Sequence, residues 1–294
     1  MDELRERVER FVREHELIPA GGEVVCLVSG GADSTCLWHL LGSLGYRVSA
    51  LHVNHKLRGS DSEEDARFCA DALGAEVVEL DGRGLSEAAL REQRRSVGGD
   101  RLRATGHTAS DQVETILYRL ASSPSRRALL GMRPRESQLV RPLLTYTREQ
   151  TAAYCLERGL RWREDQSNED PAFARNRVRA ELVPALRLIH PAAEQNVLTL
   201  SRVLRDEAAV LDTLVDAALD GGSQISLAAL REQPLALQRL IVQRLADQAV
   251  GGPAPGVARR AEEIVAMGAT AMLDLRRVRA RTKHGMLRFE RLAT

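Results

Sequence analysis

The sequence predicts an α/β fold: a doubly wound, mainly parallel sheet followed by a smaller, mainly helical domain. Three observations predict it. Short apolar runs rich in β-branched residues alternate with helical runs between residues 23 and 120. The first of these runs, Glu23 to Val28, is apolar on both faces, as a strand covered on both sides must be. Past Pro184 the alternation stops and helical periodicity takes over. A chain of 294 residues, 44% hydrophobic, has the material for one large domain or two.

The elements follow in order. Leu4, Val8, Phe11 and Val12 recur at helical spacing, and Pro19-Ala20-Gly21-Gly22 ends that first helix. The strand Glu23 to Val28 leads into the turn Ser29-Gly30-Gly31-Ala32-Asp33-Ser34, and Leu37, Leu40, Leu41 and Leu44 then mark one face of a helix. Tyr46 to Val53 reads as a second strand, Ser62 to Leu73 as an acidic helix, and Ala75 to Leu80 as a third strand. Leu102 to Thr105 is a weak fourth strand, with a helix from Ala109 to Leu120 after it. Val197, Leu200, Val203, Leu204, Leu211, Leu214 and Val215 fit a long helix, and Leu227 to Leu245 is more helix. After the loop Gly251 to Pro255, the stretches around Leu273, Leu275 and Val278 and around Leu287 and Phe289 suit short strands. The domains expected are 1–190 and 191–294.

Composition excludes several classes. No apolar run approaches the roughly 18 residues of a membrane span, and Met1 to Glu16 is charged throughout, without an apolar signal core. A cytoplasmic protein without a membrane partner is expected. Cys26, Cys36, Cys69 and Cys155 include no CxxC pair, which argues for reduced buried thiols and against a disulfide framework or a thiolate metal site. Net charge is only +1, yet it is unevenly spread. From Arg119 to Arg187 there are 14 arginines against 8 acids, and from Arg259 to Arg291 there are 9 basic residues against 4 acids. Two basic zones on an acidic remainder can bind a polyanion locally without a high isoelectric point.

The strongest local signal is Ser29-Gly30-Gly31-Ala32-Asp33-Ser34, between a buried strand and a helix. Backbone N–H groups at a helix start lack intrahelical partners, and the helix dipole adds positive charge there. Two glycines allow close approach, and Ser29 and Ser34 add hydroxyls. This suits a pyrophosphate group. Asp33 beside such a site is repulsive unless a cation bridges it, which points to Mg2+. The loop resembles the SGGxDS signature of the PP-loop ATP pyrophosphatases.

Further stretches narrow the resemblance. His52-Val53-Asn54-His55-Lys56-Leu57-Arg58 ends the second strand, and Ala104-Thr105-Gly106-His107 through Asp111 to Glu114-Thr115 follows the fourth. Ligands of a doubly wound sheet bind outside the carboxyl ends of its strands, where these loops converge. Arg141-Pro142-Leu143-Leu144 and the run from Asp165-Gln166-Ser167-Asn168 to Arg175-Asn176-Arg177-Val178-Arg179 complete the set. In this order the motifs resemble the tRNA(Ile)-lysidine synthetase family, in a short form without the extra C-terminal domain of longer members.

That resemblance implies a Rossmann-like PP-loop ATPase domain over 1–190 and a tRNA-binding domain over 191–294. It implies a carbon–nitrogen ligase that joins free L-lysine to C2 of the wobble cytidine of tRNA(Ile) with a CAU anticodon, through an adenylated cytidine, with ATP as substrate and Mg2+ as cofactor. ATP is expected against Ser29, Gly30, Gly31, Ala32, Asp33 and Ser34, with His52 and His107 beside it, and Mg2+ on Asp33. Asp111 has the better claim to the lysine amine, because a carboxylate can orient it and accept a proton. Arg175 and Arg179 lie four apart on one helical face and suit the α phosphate or the anticodon backbone. With Asp33 and Asp111 they form the expected catalytic set. Arg91, Arg94, Glu114, Arg141, Asn168, Asn176 and Arg177 are the expected tRNA and substrate contacts, and a homodimer is compatible with the resemblance.

The chain also departs from the family pattern. Thr108 and Ser110 stand where histidine and aspartate are usual, Gln166 replaces a proline, Ser122-Ser123-Pro124-Ser125 replaces an Arg-Gly-Ser-Gly-like loop, and the stretch from 86 to 100 is short. The alternatives are another PP-loop tRNA-modifying enzyme, such as one that thiolates cytidine, and a tRNA-binding relative without turnover.

Overall fold

The computed structural model describes residues 2–56, 59–82, 97, 99–123, 125–163 and 174–292. It divides into two compact units, Met1–Ser201 and Arg202–Thr294, and the division falls within a long helix.

In the first unit, β1 (Glu23–Leu27) lies at the centre of a six-stranded sheet. It pairs in parallel with β2 (Arg47–Asn54) on one side and β4 (Arg103–Thr105) on the other. β3 (Glu76–Glu79) extends the sheet beyond β2, and β6 (Leu139–Val140) extends it beyond β4, both parallel. The edge strand β5 (Arg135–Glu136) is antiparallel to β6, so the order is β3-β2-β1-β4-β6-β5. The chain moves outward from β1 to β3, then returns to the other side of β1 as β4. That reversal leaves a crevice at the carboxyl ends of β1 and β4, where such sheets bind ligands. Leu27 is in register with both Leu51 and Thr105, so the loops after β1 and β4 emerge at one level, while β2 runs on to Asn54.

Helices cover the sheet. α1 (Asp2–Glu14) buries Val8 and Val12 in the core, with Leu4 and Phe11 packed partly against it. α2 (Ala32–Ser43) contributes Cys36, Leu37, Leu40 and Leu41, and α3 (Ser60–Leu73) contributes Cys69 and Leu73. α4 (Ala109–Ser122) follows β4, and α5 (Arg148–Glu157) follows β6. The sequence reading gave no helix at α5 and no strands at β5 and β6. Each of those strands is two residues long, too short for any periodicity. The apolar residues of α5 cluster as Ala152 to Leu156 instead of recurring every three or four positions. Trp38 and Trp162 pack partly against this core, and all four cysteines are free and buried.

Beyond residue 173 come α6 (Ala174–Arg177), a π-helical turn (Val178–Leu182) and α7 (Val183–Ile189). Val183 packs on Val113 and Leu117 of α4, joined partly by Val178 and Leu186, which seats this segment on the helix after β4. α8 (Ala193–Leu219) is the long helix.

The second unit packs α9 (Leu227–Glu232), α10 (Leu235–Val250) and α11 (Ala261–Val265) with a four-stranded antiparallel sheet of order β7-β10-β9-β8. Its strands are β7 (Gln224–Ser226), β8 (Ala271–Asp274), β9 (Val278–Lys283) and β10 (Met286–Arg291). Period-two alternation sorts β9: Val278, Ala280 and Thr282 point inward, while Arg279, Arg281 and Lys283 point outward. Leu287 and Phe289 of β10 join Ile241, Val242 and Leu245 of α10 in the core. The terminal sheet is therefore a substantial part of this unit, alongside its helices.

Candidate active site

The loop after β1 is tied by its own serines. Ser29 donates its N–H to Ser34 Oγ at 3.1 Å, the two hydroxyls lie 3.3 Å apart, and Ser34 Oγ donates to the Gly31 carbonyl at 3.0 Å. Gly30 adopts φ of +87°, which only glycine takes without strain, and its carbonyl accepts the N–H of Arg163 at 2.9 Å. Arg163 also binds Asp65 of α3 at 2.7 Å. Gly31 caps α2 with no side-chain hydrogen bond, leaving the helix start open to a phosphate.

The loop after β4 meets it closely. A Cβ on Gly106 would lie 2.9 Å from the carbonyl carbon and oxygen of Asp33 and from the N of Ser34. Thr108 caps α4 in a reciprocal box with Asp111: Asp111 Oδ2 accepts the Thr108 N–H at 2.8 Å and its hydroxyl at 2.9 Å. The threonine that departs from the family pattern is therefore the cap that orients Asp111.

Three carboxylates and three arginines then converge. Arg148, at the first position of α5, reaches Asp33 Oδ2 with Nε at 3.7 Å, Asp111 Oδ1 with Nη2 at 3.1 Å, and Glu114 Oε1 with Nη1 at 3.2 Å. Arg179, in the π-helical turn, donates through Nε to Glu114 Oε1 at 2.8 Å and lies 4.0 Å from Asp111. Such turns recur at functional sites. Arg175 donates to Thr115 Oγ1 at 2.5 Å and to the Asp111 carbonyl at 3.4 Å. Thr151, one turn beyond Arg148, donates to Asp33 Oδ1. Ser110, the other departure, accepts the main-chain N–H of Arg148 at 3.1 Å.

The two aspartates differ electrostatically. Burial pushes Asp33 up to about 6, and the Asp111 charge adds to that, against the Thr151 hydrogen bond and the nearby arginines. Burial also pushes Asp111 up, but His107, Arg148, the Thr108 N–H and Arg175 together hold it below its ordinary value. Among the described residues no three of His, Cys, Asp and Glu group to hold a metal ion. Asp33 alone fits Mg2+, which commonly takes one or two carboxylates and completes its shell with substrate phosphates and water.

The structure thus brings together Asp33, Asp111, Glu114, Arg175 and Arg179 beside the loop Ser29–Ser34. His52 is buried, with Nδ1 2.8 Å from the Val28 carbonyl, and so supports the strand end that carries the loop. His107 Nδ1 lies 2.8 Å from Thr105 Oγ1. Arg141 is not brought into the cluster: its guanidinium is buried, donating to the Arg133 carbonyl at 2.7 Å and to Glu136 at 3.0 Å. Asn176 and Arg177 lie on α6 beside Arg175. Leu57, Arg58, Arg91, Arg94 and Asn168 fall outside the described residues. Sequence reasoning missed Arg148 and Thr151. The signal was present, as the helix-start pattern Thr147-x-x-Gln150 just after Arg141-Pro142-Leu143-Leu144.

A family model described as a PP-loop domain matches residues 2–186. The chain is 35% identical over 283 residues to the tRNA(Ile)-lysidine synthase of Geobacter sulfurreducens, covering 85% of this chain and 60% of that one. It is 34% identical over 335 residues to the tRNA(Ile)-lysidine synthase of Symbiobacterium thermophilum, covering 98% of this chain and 69% of that one. The chain spans about three-fifths of the length of the first curated relatives it matches. Among solved structures it is similar to the U34-tRNA thiolase NcsA from Methanococcus maripaludis. That match has a TM-score of 0.52 at 19% identity over 69% of this chain and 78% of that one, a likeness of fold.

Proposed function

The chain belongs to the PP-loop family, and within it to the tRNA(Ile)-lysidine synthases, and from that premise we propose that it ligates free lysine to the wobble cytidine of tRNA(Ile) with a CAU anticodon. The observation that carries the reading is the joining of the phosphate-loop carboxylate, Asp33, to the carboxylate pair Asp111 and Glu114 in one crevice. Nucleotide activation and amine attack need those two functions side by side.

The N–H groups and hydroxyls of Ser29 to Ser34 hold the β and γ phosphates at the start of α2. Asp33 would hold Mg2+, which when bound would supply charge neutralisation to the phosphates. The C2 oxygen of cytidine attacks the α phosphate and pyrophosphate leaves. Adenylation matters because a urea-like carbonyl oxygen leaves very poorly until it carries a phosphoryl ester. The ε-amine of lysine then attacks C2, forming the C–N bond as the C–O bond to AMP breaks. Asp111 and Glu114 orient the amine. Asp111, held at a low pKa, is a weak base, but the attacking nitrogen becomes strongly acidic as the bond forms, so a weak base suffices to take its proton. Arg175 and Arg179 flank these carboxylates, and this reading assigns them to the α phosphate, which guanidinium groups suit.

The second unit is read as the tRNA-binding part. Arg279, Arg281 and Lys283 project from one face of its sheet, and arginine and lysine contacts to phosphate supply most sequence-independent RNA affinity. The four cysteines do not favour thiolation, since none belongs to a CxxC pair and all are buried. The reaction takes place in the cytoplasm in this reading; among the described residues no helix is long and apolar enough to cross a membrane.

The test is lysine incorporation. Protein, Mg·ATP and labelled lysine are incubated with an isoleucine tRNA transcript bearing CAU, with the methionine tRNA as control. Label in the isoleucine tRNA alone, lost in Asp33→Ala and Asp111→Ala, supports the reading. Retained tRNA binding without label sinks it in favour of a relative without turnover.

A further inference from the structure

Arg148 touches both the phosphate-loop carboxylate, Asp33, and the pair Asp111 and Glu114. Each of its three guanidinium nitrogens meets a different carboxylate, Asp33, Asp111 or Glu114. Arg179 pairs with Glu114 at 2.8 Å and lies 4.0 Å from Asp111, and Arg175 donates to a carbonyl and a hydroxyl. The backbone beneath Arg148 is fixed at Ser110 and by the Thr147–Gln150 capping box, so the freedom lies in its side chain.

Arg148 occupies Asp111 Oδ1 and shares Glu114 Oε1 with Arg179, and in the ligase reading these are the oxygens an incoming ammonium would meet. The guanidinium thus occupies the carboxylate oxygens that the ligase reading assigns to the substrate amine. A guanidinium fork suits phosphate at least as well as carboxylate. Asp33, which Arg148 already touches, is the second residue of α2, whose N-cap is the phosphate loop. A triphosphate at the loop therefore offers a competing seat within reach of the same side chain.

We propose that Arg148 is a positioning residue that masks the amine site until nucleotide binds, so that lysine enters after ATP. Nucleotide phosphates draw the guanidinium from Asp111 and Glu114, and the exposed carboxylates then take the amine. This rests on the ligase reading above, and it gives that reading an order of binding. Coupling of this kind between two sites typically spans 5- to 150-fold in affinity.

The experiment measures lysine affinity by calorimetry on the full chain, with and without Mg2+ and α,β-methylene-ATP, which cannot be cleaved at the reacting bond. In the wild type, lysine affinity should rise about tenfold or more with the nucleotide. In Arg148→Gln, lysine should bind without nucleotide about as tightly as with it, while thermal melting reports that the fold is kept. Arg148→Lys, whose single ammonium cannot span three carboxylates, should show a reduced response and serves if the glutamine variant does not fold. A purely structural role would lower both affinities and leave their ratio unchanged. An equal nucleotide response in wild type and variants, or none in the wild type, overturns the proposal while leaving the ligase reading intact. No lysine binding by the wild type under either condition, with no lysine-dependent AMP release on tRNA, overturns the ligase reading itself.

Discussion

The hydroxyl of Ser110 accepts the main-chain N–H of Arg148 at 3.1 Å, joining the first turn of the helix after β4 to the first turn of the helix after β6. Both helix starts carry polar groups of the site: Asp111 lies one residue beyond Ser110, and Arg148 is the donor itself. One short contact therefore sets the spacing between the carboxylates of Asp111 and Glu114 and the arginine that spans them. Ser110→Ala removes the acceptor of that donor. A stability loss of about 1 kcal/mol is expected, read as a drop in Tm of roughly 2–4 °C for a chain of this size. Lysine incorporation should fall as well, because Arg148 loses its fixed origin.

Gly106 makes a second prediction, from close approach. A Cβ there meets backbone atoms of Asp33 and Ser34 at 2.9 Å, and backbone cannot rotate aside. Gly106→Ala must push the loop after β4 away from the start of α2. Overpacking of this kind typically costs about 1–3 kcal/mol. The larger effect is expected in pyrophosphate release from ATP, on the order of 100-fold, since a shift near 1 Å in a positioned phosphate has that consequence. Circular dichroism should remain native, which separates misplacement from unfolding.

How far the sequence exposes this site depends on the kind of signal each residue carries. Ser29 to Ser34, His107 and Asp111 announce themselves because their roles are local: a turn, a helix start, a strand end. Val8, Val12, Leu37, Leu40 and Leu41 were legible as core from spacing alone, and the structure buries all five. Arg148 is different. It is one arginine among 14 between Arg119 and Arg187, and only the fold brings it to Asp33, more than a hundred residues away. Arg141 shows the converse. Its place in a recognisable motif suggested a substrate contact, but burial beside Glu136 and the Arg133 carbonyl ties it to the sheet edge.

Glu114 is almost fully buried and holds Arg148 and Arg179 at once. Glu114→Ala leaves both guanidinium groups facing an empty position. Breaking a buried ion pair from one side costs about 3–5 kcal/mol, and the lower end is expected because each arginine side chain is about a third exposed (32% and 31%). Urea unfolding checks the value. Glu114→Gln keeps an acceptor oxygen in place and should lose less stability, while still losing lysine affinity.

In the second unit, Arg281 and Lys283 share the outward face of β9. If that face meets RNA phosphates, Arg281→Ala and Lys283→Ala should weaken tRNA binding alike for the isoleucine and methionine tRNAs. Each should also reduce the slope of log affinity against log salt by about 1. An unchanged slope in the double variant places the RNA elsewhere. Binding is measured by filter retention across a salt series, so that the slope and not a single affinity decides.

Asp33 carries a stability cost whose pH dependence can be worked out. Its pKa is about 6 in the folded chain against 3.8 as a free group, with burial the largest cause. The folded state therefore binds the proton more tightly than the unfolded state. Stability falls as pH rises from about 4 to about 6 and stays low above that range. A shift of about two units corresponds to roughly 3 kcal/mol at pH 7.5, and to about half of that at pH 5. Asp33→Asn keeps an oxygen for the Thr151 hydroxyl and removes the buried charge. The variant should melt higher than the wild type at pH 7.5, with the gap about halved at pH 5, while ATP-dependent ligation is lost. An equal or lower Tm at pH 7.5 would mean that the ion pair with Arg148 outweighs the desolvation of the carboxylate. The expected outcome makes Asp33 a residue retained at the expense of stability, in keeping with the proposed role of its carboxylate in holding Mg2+ beside the phosphate loop.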